Sequence, residues 1–278
     1  MALDFHAESN AGTYASRGAD PGWVSAVAGM IDLRGLRVVD LGCGGGIYST
    51  AMAQMGALVT GVDFSAQMVT DARERAQSLG FGDVRFVQGD AERTGLEAGA
   101  ADVVLMRALI HHVPSRPAVL AEARRLLTER GTVLIQDRTM ADVFAPPSAE
   151  HFRGWFFEIF PRLIDIEARR RPDAEEVDLA LRKAGFSSIS HSSLPEVRRT
   201  YDGINELRSD LLSRTGRSIL HELDDGELAF LVDGICERIA RSTPADQTIR
   251  EVDYWTLWRA RADRHGAEDA GAAAHRPR

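Results

Sequence analysis

Residues 38–48 read Val-Val-Asp-Leu-Gly-Cys-Gly-Gly-Gly-Ile-Tyr. The apolar run Leu36, Val38, Val39, Leu41 stops at Gly42-Cys43-Gly44-Gly45-Gly46, and Ile47, Ala51, Met52 and Met55 follow at helical spacing. This pattern predicts a buried strand, a glycine-lined turn and a helix start. Glycines let the backbone take positive φ and let a ligand approach without meeting a Cβ. The helix N-terminus adds free N–H groups and the positive end of the dipole. A turn of this kind can hold a nucleotide-like ligand against its main chain.

The glycine spacing is Gly42-x-Gly44-x-Gly46, and position 47, where a dinucleotide fingerprint places its third glycine, is Ile47. That counts against NAD and FAD. A second strand, Val59–Asp63, ends in a carboxylate, where an α/β nucleotide site grips ribose hydroxyls. A third, Val84–Gln88, runs into Gly89-Asp90-Ala91 and places another acid at the same edge. The distances from Asp40 to Asp63 and from Asp63 to Asp90 each fit one strand–helix–strand unit.

Three acids and a glycine turn at successive strand ends resemble the class I S-adenosylmethionine-dependent methyltransferases of small-molecule type. The resemblance covers roughly residues 36–138, with weaker returns at 173–190 and 252–262. It implies that Asp40, Gly42, Gly44 and Gly46 wrap the methionine part of the cofactor. Asp63 then binds ribose, Phe64 and Met68 neighbour the adenine, and Asp90 with Ala91 meets its amino group. Ala101–Arg107 and Gly131–Asp137 resemble the fourth and fifth strands. The implied fold is α/β: a Rossmann-like, seven-stranded, mostly parallel sheet with helices on both faces. Its last strand inserts antiparallel, and helical cap insertions are added.

Composition narrows the partners. The net charge of -8 argues against nucleic acid, which needs a basic stripe. Two cysteines, Cys43 and Cys236, allow no disulfide framework, so a reduced, cytoplasmic protein is expected. No signal peptide is read in the first residues, and no apolar run approaches the ~20 residues of a membrane span.

Along the chain we expect an N-terminal lid and helix at 1–35, with the helix near Pro21–Leu33, and a cofactor-binding core at 36–138. Helices are predicted at 47–56, 66–79 and 117–129, the last stopped by Gly131. An aromatic helical insertion at 139–172 precedes a core helix and strand at 173–200, with the strand at Phe186–His191. A helical cap insertion at 201–250 leads to a final core strand at 251–263, and 264–278 reads as a disordered tail. Insertions of this length usually carry a role, so both are expected to cap an acceptor pocket. Phe152-Arg153-Gly154-Trp155-Phe156-Phe157 has more bulk than one helix face can bury, so part of it is expected at a pocket or a partner subunit, as in a homodimer.

Methyl transfer is a displacement at a sulfonium carbon, so alignment is the main task, worth up to ~7–11 kcal/mol. A base is needed where the acceptor must lose a proton. The candidates follow the fourth strand in Arg107-Ala108-Leu109-Ile110-His111-His112-Val113-Pro114, with His112 preferred to His111. Some relatives that carry a histidine here pair it with an N-terminal tyrosine, and the position that looks similar, Tyr14, is the third catalytic candidate. Arg17 is a candidate partner of the cofactor carboxylate, and Arg107 lies where the methionine moiety is held. Tyr201, Asn205 and Glu206 are positioned to offer polar contacts to a substrate. No cluster at ligand spacing supports a metal.

The leading reading is methyl transfer to O, N or an activated carbon of a small, partly aromatic metabolite, without nucleic acid or membrane partners. A non-catalytic S-adenosylmethionine-binding protein is the alternative. A nicotinamide-dependent oxidoreductase is disfavoured, because the only lysine, Lys183, has Leu179 four residues before it and no Tyr-x-x-x-Lys pair exists.

Overall fold

The computed structural model describes residues 18–244 and 247–262. Tyr14, Arg17, most of the expected lid and the expected tail lie outside these residues. Seven strands form one sheet: β1 (Arg37–Leu41), β2 (Leu58–Asp63), β3 (Arg85–Gln88), β4 (Ala101–Arg107), β5 (Leu127–Asp137), β6 (Phe186–Tyr201) and β7 (Ile249–Ala262). Their order is β3-β2-β1-β4-β5-β7-β6. β7 runs antiparallel to both β5 and β6, and the other pairings are parallel. Strand order reverses between β1 and β4, the kind of crevice where open α/β sheets bind ligands.

The strands carry apolar residues on both faces because helices cover both. Val38, Val103, Leu105 and Leu134 pack with Trp23 and Val27 of α1 (Pro21–Met30) and Met52 of α2 (Ile47–Gln54). Their neighbours Val39, Val104, Met106, Val133 and Ile135 point the other way. There they meet Leu120 and Leu126 of α4 (Arg116–Leu126) and Leu181 of α8 (Ala174–Lys183). Between these, α3 (Ala66–Ser78) is capped by Ser65 and buries Val69, Ala72 and Ala76. α8 starts in a reciprocal capping box: Asp173 accepts from the Glu176 amide at 2.8 Å, and Glu176 accepts from the Asp173 amide at 3.0 Å.

Three local expectations need correction. Gly131 does not end α4, which stops at Leu126 and passes directly into β5. Gly131 lies inside that strand, where an added Cβ would come 2.7 Å from Leu127 Cδ2. In α2 the buried face is Ser49, Thr50, Ala51 and Met52, while Ile47 and Met55 are half-buried. The buried serine has a partner beneath it, Asp40. Finally, β6 continues ten residues past His191. Pro195 is tolerated in that continuation because β6 is an edge strand paired to β7 alone. Pairing of β7 with β5 ends at Thr256, so beyond it β6 and β7 run on as a two-stranded ribbon to the pair Tyr201 and Ile249.

The insertions form one helical layer. α5 (Met140–Val143), α6 (Arg153–Ile159) and α7 (Leu163–Arg170) pack with α9 (Ile204–Leu212), a 3-10 turn at Ser218–Glu222 and α10 (Asp225–Ser242). Phe152, Phe156 and Phe157 are buried in that shared core beside Leu207, Leu231 and Ile235. The aromatic run therefore fills a second core, made with the other insertion rather than with the sheet. Among the described residues, no helix is long and apolar enough to cross a membrane.

Candidate active site

At the carboxyl ends of β1 and β2 the glycine turn closes on itself. The amides of Gly42 and Cys43 donate to the Val62 carbonyl at 2.8 and 3.0 Å. Gly44 donates its N–H to Asp63 Oδ2 at 2.8 Å, and Ser65 donates to Oδ1 at 3.0 Å. The glycines serve two different ends. At Gly46 (φ +76) a Cβ would sit 2.9 Å from Ala72 Cβ and 3.1 Å from Phe86 Cζ, so this position is needed for packing. At Gly44 (φ +49) and Gly45 a Cβ meets nothing within 4 Å, and both border an open cavity. That is the cradle a side chain would fill and a ligand can use.

The cavity, about 590 Å³, runs across the strand ends and lies in the ~300–1,000 Å³ range of small-molecule sites. Asp40 and Asp63 both line it and both are buried. Burial raises the Asp63 pKa despite its two backbone donors. Asp40 accepts from Ser49 Oγ at 2.5 Å, yet burial pushes its carboxyl up to about 6. Two desolvated carboxylates beside free glycine backbone suit a ligand bearing hydroxyls and positive charge, which is the chemistry of an adenosyl sulfonium. Phe64, Met68, Gly89 and Ala91 line the same end. Asp90 does not: it is exposed at the rim, and its Oδ1 accepts from the Glu92 amide at 2.7 Å.

The raised Asp40 pKa has a consequence for stability. The folded chain holds this proton more tightly than the unfolded chain does. The associated stabilisation is complete below the unfolded pKa near 3.9 and is lost as pH rises through about 6, a change of roughly 3 kcal/mol. Asp40→Asn removes this titration and keeps an acceptor for Ser49. We expect its melting temperature, relative to the wild type without ligand, to rise between pH 5 and pH 8. Parallel melting curves across that range would contradict the assignment.

The other end of the cavity is built on rings and guanidiniums. Arg107 of β4 lies 3.9 Å over Tyr48 of α2 and 4.5 Å from Trp255 of β7. Arg138, just past β5, lies 3.7 Å over Trp255. Arg107 is also committed to Gln136 Oε1 (3.0 Å) and Glu196 Oε2 (2.7 Å), so its fork is largely occupied. Ala108 follows at φ +50, a backbone rarely adopted by a side-chain-bearing residue, and this bend leads the chain into the two histidines.

Both histidines line the cavity, their ring centroids 3.8 Å apart. His111 Nδ1 is 2.7 Å from Asp137 Oδ1 and 2.8 Å from Oδ2, with both side chains buried. Against the cost of burial, His111 and Arg171 hold the Asp137 carboxyl down at about 2. Burial lowers the His111 pKa below its usual 6.5, only partly opposed by Asp137. An ionised Asp137 fixes the tautomer with the proton on Nδ1 and the lone pair on Nε2. His112 is the more exposed of the two, and its pKa is likewise lowered, by surrounding protein and then by His111.

Sequence reasoning missed Asp137 as a partner, although the β4–β5 register, Arg107 opposite Gln136, puts it beside the histidine segment. It also missed the cation content: seven arginines line the cavity, among them Arg138, Arg153, Arg171 and Arg217. The aromatic insertion contributes Arg153 and Arg171 to the lining, not Trp155, Phe156 or Phe157. Nor do Tyr201, Asn205 and Glu206 reach it. Tyr201 is buried with its hydroxyl 2.6 Å from Glu251 Oε2, and Glu206 pairs with Arg199 at 2.7 Å. Tyr201 and Glu206 are thus held by partners away from the pocket.

The family model described as a methyltransferase domain matches residues 39–135. That stretch of the chain is similar to a methyltransferase domain. A ubiquinone biosynthesis O-methyltransferase of Paracidovorax citrulli is 34% identical over 137 residues, 48% of this chain and 56% of that relative. The chain spans about half the length of the curated relatives it matches. Solved structures place the methyltransferase fold over most of the chain. A Haemonchus contortus phosphoethanolamine N-methyltransferase 2 in complex with S-adenosyl-L-methionine superposes with a TM-score of 0.55 at 20% identity, covering 92% of this chain and 56% of that one. The [4+2]-cyclase SpnF superposes with a TM-score of 0.53 at 18% identity, covering 87% and 80%. One scaffold thus carries methyl transfer and ring closure, so the chemistry of this chain has to be argued from its residues.

Proposed function

We propose that the chain is an S-adenosylmethionine-dependent methyltransferase of small molecules, acting on O, N or an activated carbon, with His111 as general base. The observation that carries this is a single cavity bordered at one end by the glycine turn and Asp63 and at the other by the His111–Asp137 pair. Bound S-adenosylmethionine would supply an electrophilic methyl group on a sulfonium. The Gly44 and Gly45 backbone and Asp40 hold its methionine end, with Arg107 behind them. Asp63 accepts from the ribose hydroxyls. Phe64, Met68, Gly89 and Ala91 enclose the adenine, with Asp90 at the rim towards its amino group. Tyr14 and Arg17, from the segment before the described residues, belong to this proposal as lid residues.

His111 takes the proton. Asp137 anchors Nδ1–H, so Nε2, which has no partner among the described residues, is the accepting atom. Asp137 then stabilises the imidazolium that forms. The preference moves from His112 to His111 because the Asp137 carboxylate is in contact with His111 Nδ1 and orients that ring. Rings and guanidiniums over the strand ends exclude bulk water, which favours dispersal of charge as the sulfonium is neutralised. Cytoplasmic residence, supported by two free cysteines, and a homodimer complete the reading.

Incubation with methyl-labelled S-adenosylmethionine and a panel of phenols, amines and carbon acids should release S-adenosylhomocysteine together with a labelled product. Calorimetry with both cofactor forms is the companion measurement. Absence of heat with either form ends the proposal. Binding with no turnover across the panel leaves the non-catalytic alternative.

A further inference from the structure

We propose that Arg138 and Arg153 form a seat for an anionic group, a carboxylate or a phosphate, on the methyl acceptor; this rests on the methyltransferase reading above. Arg138 leaves β5 immediately after Asp137, and Arg153 opens α6 in the insertion. Both line the cavity, and their side chains are only 11% and 6% exposed. They converge on one carboxylate: Arg138 Nη2 lies 2.5 Å from Asp253 Oδ2, and Arg153 Nε lies 3.4 Å from Oδ1.

The other buried arginines of the cavity are better matched. Arg171 meets Glu167 and Asp137, Arg107 meets Glu196, and Arg217 meets Asp210 and Glu251. Around Asp253, two guanidiniums share a single negative charge. Some of their donors are also unused. The terminal nitrogens of Arg153 make no hydrogen bond to any described residue, and Arg138 Nε has no partner among them either. Buried donors and an uncompensated charge are costly in a nearly dry site unless a ligand satisfies them. A carboxylate or phosphate supplies acceptors that suit guanidinium forks.

Two further observations place the seat. Trp255 lies against the Arg138 guanidinium and fixes its plane. Burial, with repulsion from Arg153, Arg171 and Arg107, pulls the Arg138 pKa down to about 9, which fits an excess of positive charge here. The seat is at the β5–β7 end of the cavity, next to the carboxylate that orients His111, and away from the glycine turn. An anion held there would present the rest of the acceptor to His111.

The test is calorimetric titration of the full chain, saturated with S-adenosylhomocysteine, using benzoate, phenyl phosphate and the neutral benzamide as probes. At least one anion should bind about tenfold or more tightly than benzamide. Arg153→Gln and Arg138→Gln should each weaken that anion about tenfold or more while S-adenosylhomocysteine affinity stays within about twofold. Arg153→Lys, which keeps charge but not the fork, should give a smaller loss and covers the case in which a Gln variant fails to fold. Tighter benzoate assigns a carboxylate, and tighter phenyl phosphate a phosphate. The seat is overturned if benzamide binds equally, if neither anion binds, if the variants bind it unchanged, or if they weaken S-adenosylhomocysteine as much. If S-adenosylhomocysteine does not bind the wild type, the methyltransferase reading fails, and the same titrations without it still decide the seat.

Discussion

His111→Ala lowers kcat by about 10²–10⁴-fold with an acceptor that must lose a proton, while S-adenosylhomocysteine affinity is unchanged. The loss falls on the chemical step because the imidazole borders the acceptor end of the cavity, away from the glycine turn. The pH dependence separates a base from a structural residue. Burial lowers the His111 pKa, so the neutral, proton-accepting form prevails through the neutral range. The acid limb of kcat against pH therefore lies below 6.5. Asp137 favours the imidazolium, so Asp137→Asn should shift that limb lower still and slow the reaction. His112→Ala, at the more exposed ring, should cost far less. A silent His111→Ala beside a crippled His112→Ala would transfer the role to His112.

Asp63→Ala should weaken S-adenosylmethionine by roughly 100-fold or more in calorimetry, even where the variant remains folded. Two charge-assisted hydrogen bonds to ribose are lost, each worth about 1.5–3 kcal/mol. The Gly44 and Ser65 amides also lose their acceptor, so the turn that shapes the cradle is no longer pinned. Asp63→Asn keeps one acceptor oxygen and should retain part of the affinity. Equal affinity in wild type and Asp63→Ala would remove Asp63 from the cofactor site and with it the orientation proposed for the whole cavity.

Much of the core was legible in the sequence because its signals are local. The glycine run reads as a turn, and Gly42, Gly44 and Gly46 all take positive φ; Asp63 closes β2, and Asp40 lies one residue before the end of β1. The helices at 21–30, 66–78 and 174–183 lie where the sequence places helices, and the structure caps them with Asp20, Ser65 and Asp173. The long ends of β6 and β7 were not legible. Their partners are each other and the helical layer, which only the tertiary structure brings together. The aromatic stripe at 152–160 misled in the opposite way. Its bulk signalled a surface to be covered, but not that the covering came from residues 207–239 of the same chain.

The order of short-range features, strand, glycine turn, helix and acid, was determined by the sequence alone, because φ preference, capping and periodicity act over a few residues. The catalytic pairing and the cation-rich pocket were decided by tertiary structure. His111 and Asp137 are 26 residues apart, and Arg138 and Asp253 are 115 apart. A buried charge takes whichever opposite charge the fold brings to it, and that neighbour is set by the strand order and by the β6–β7 ribbon.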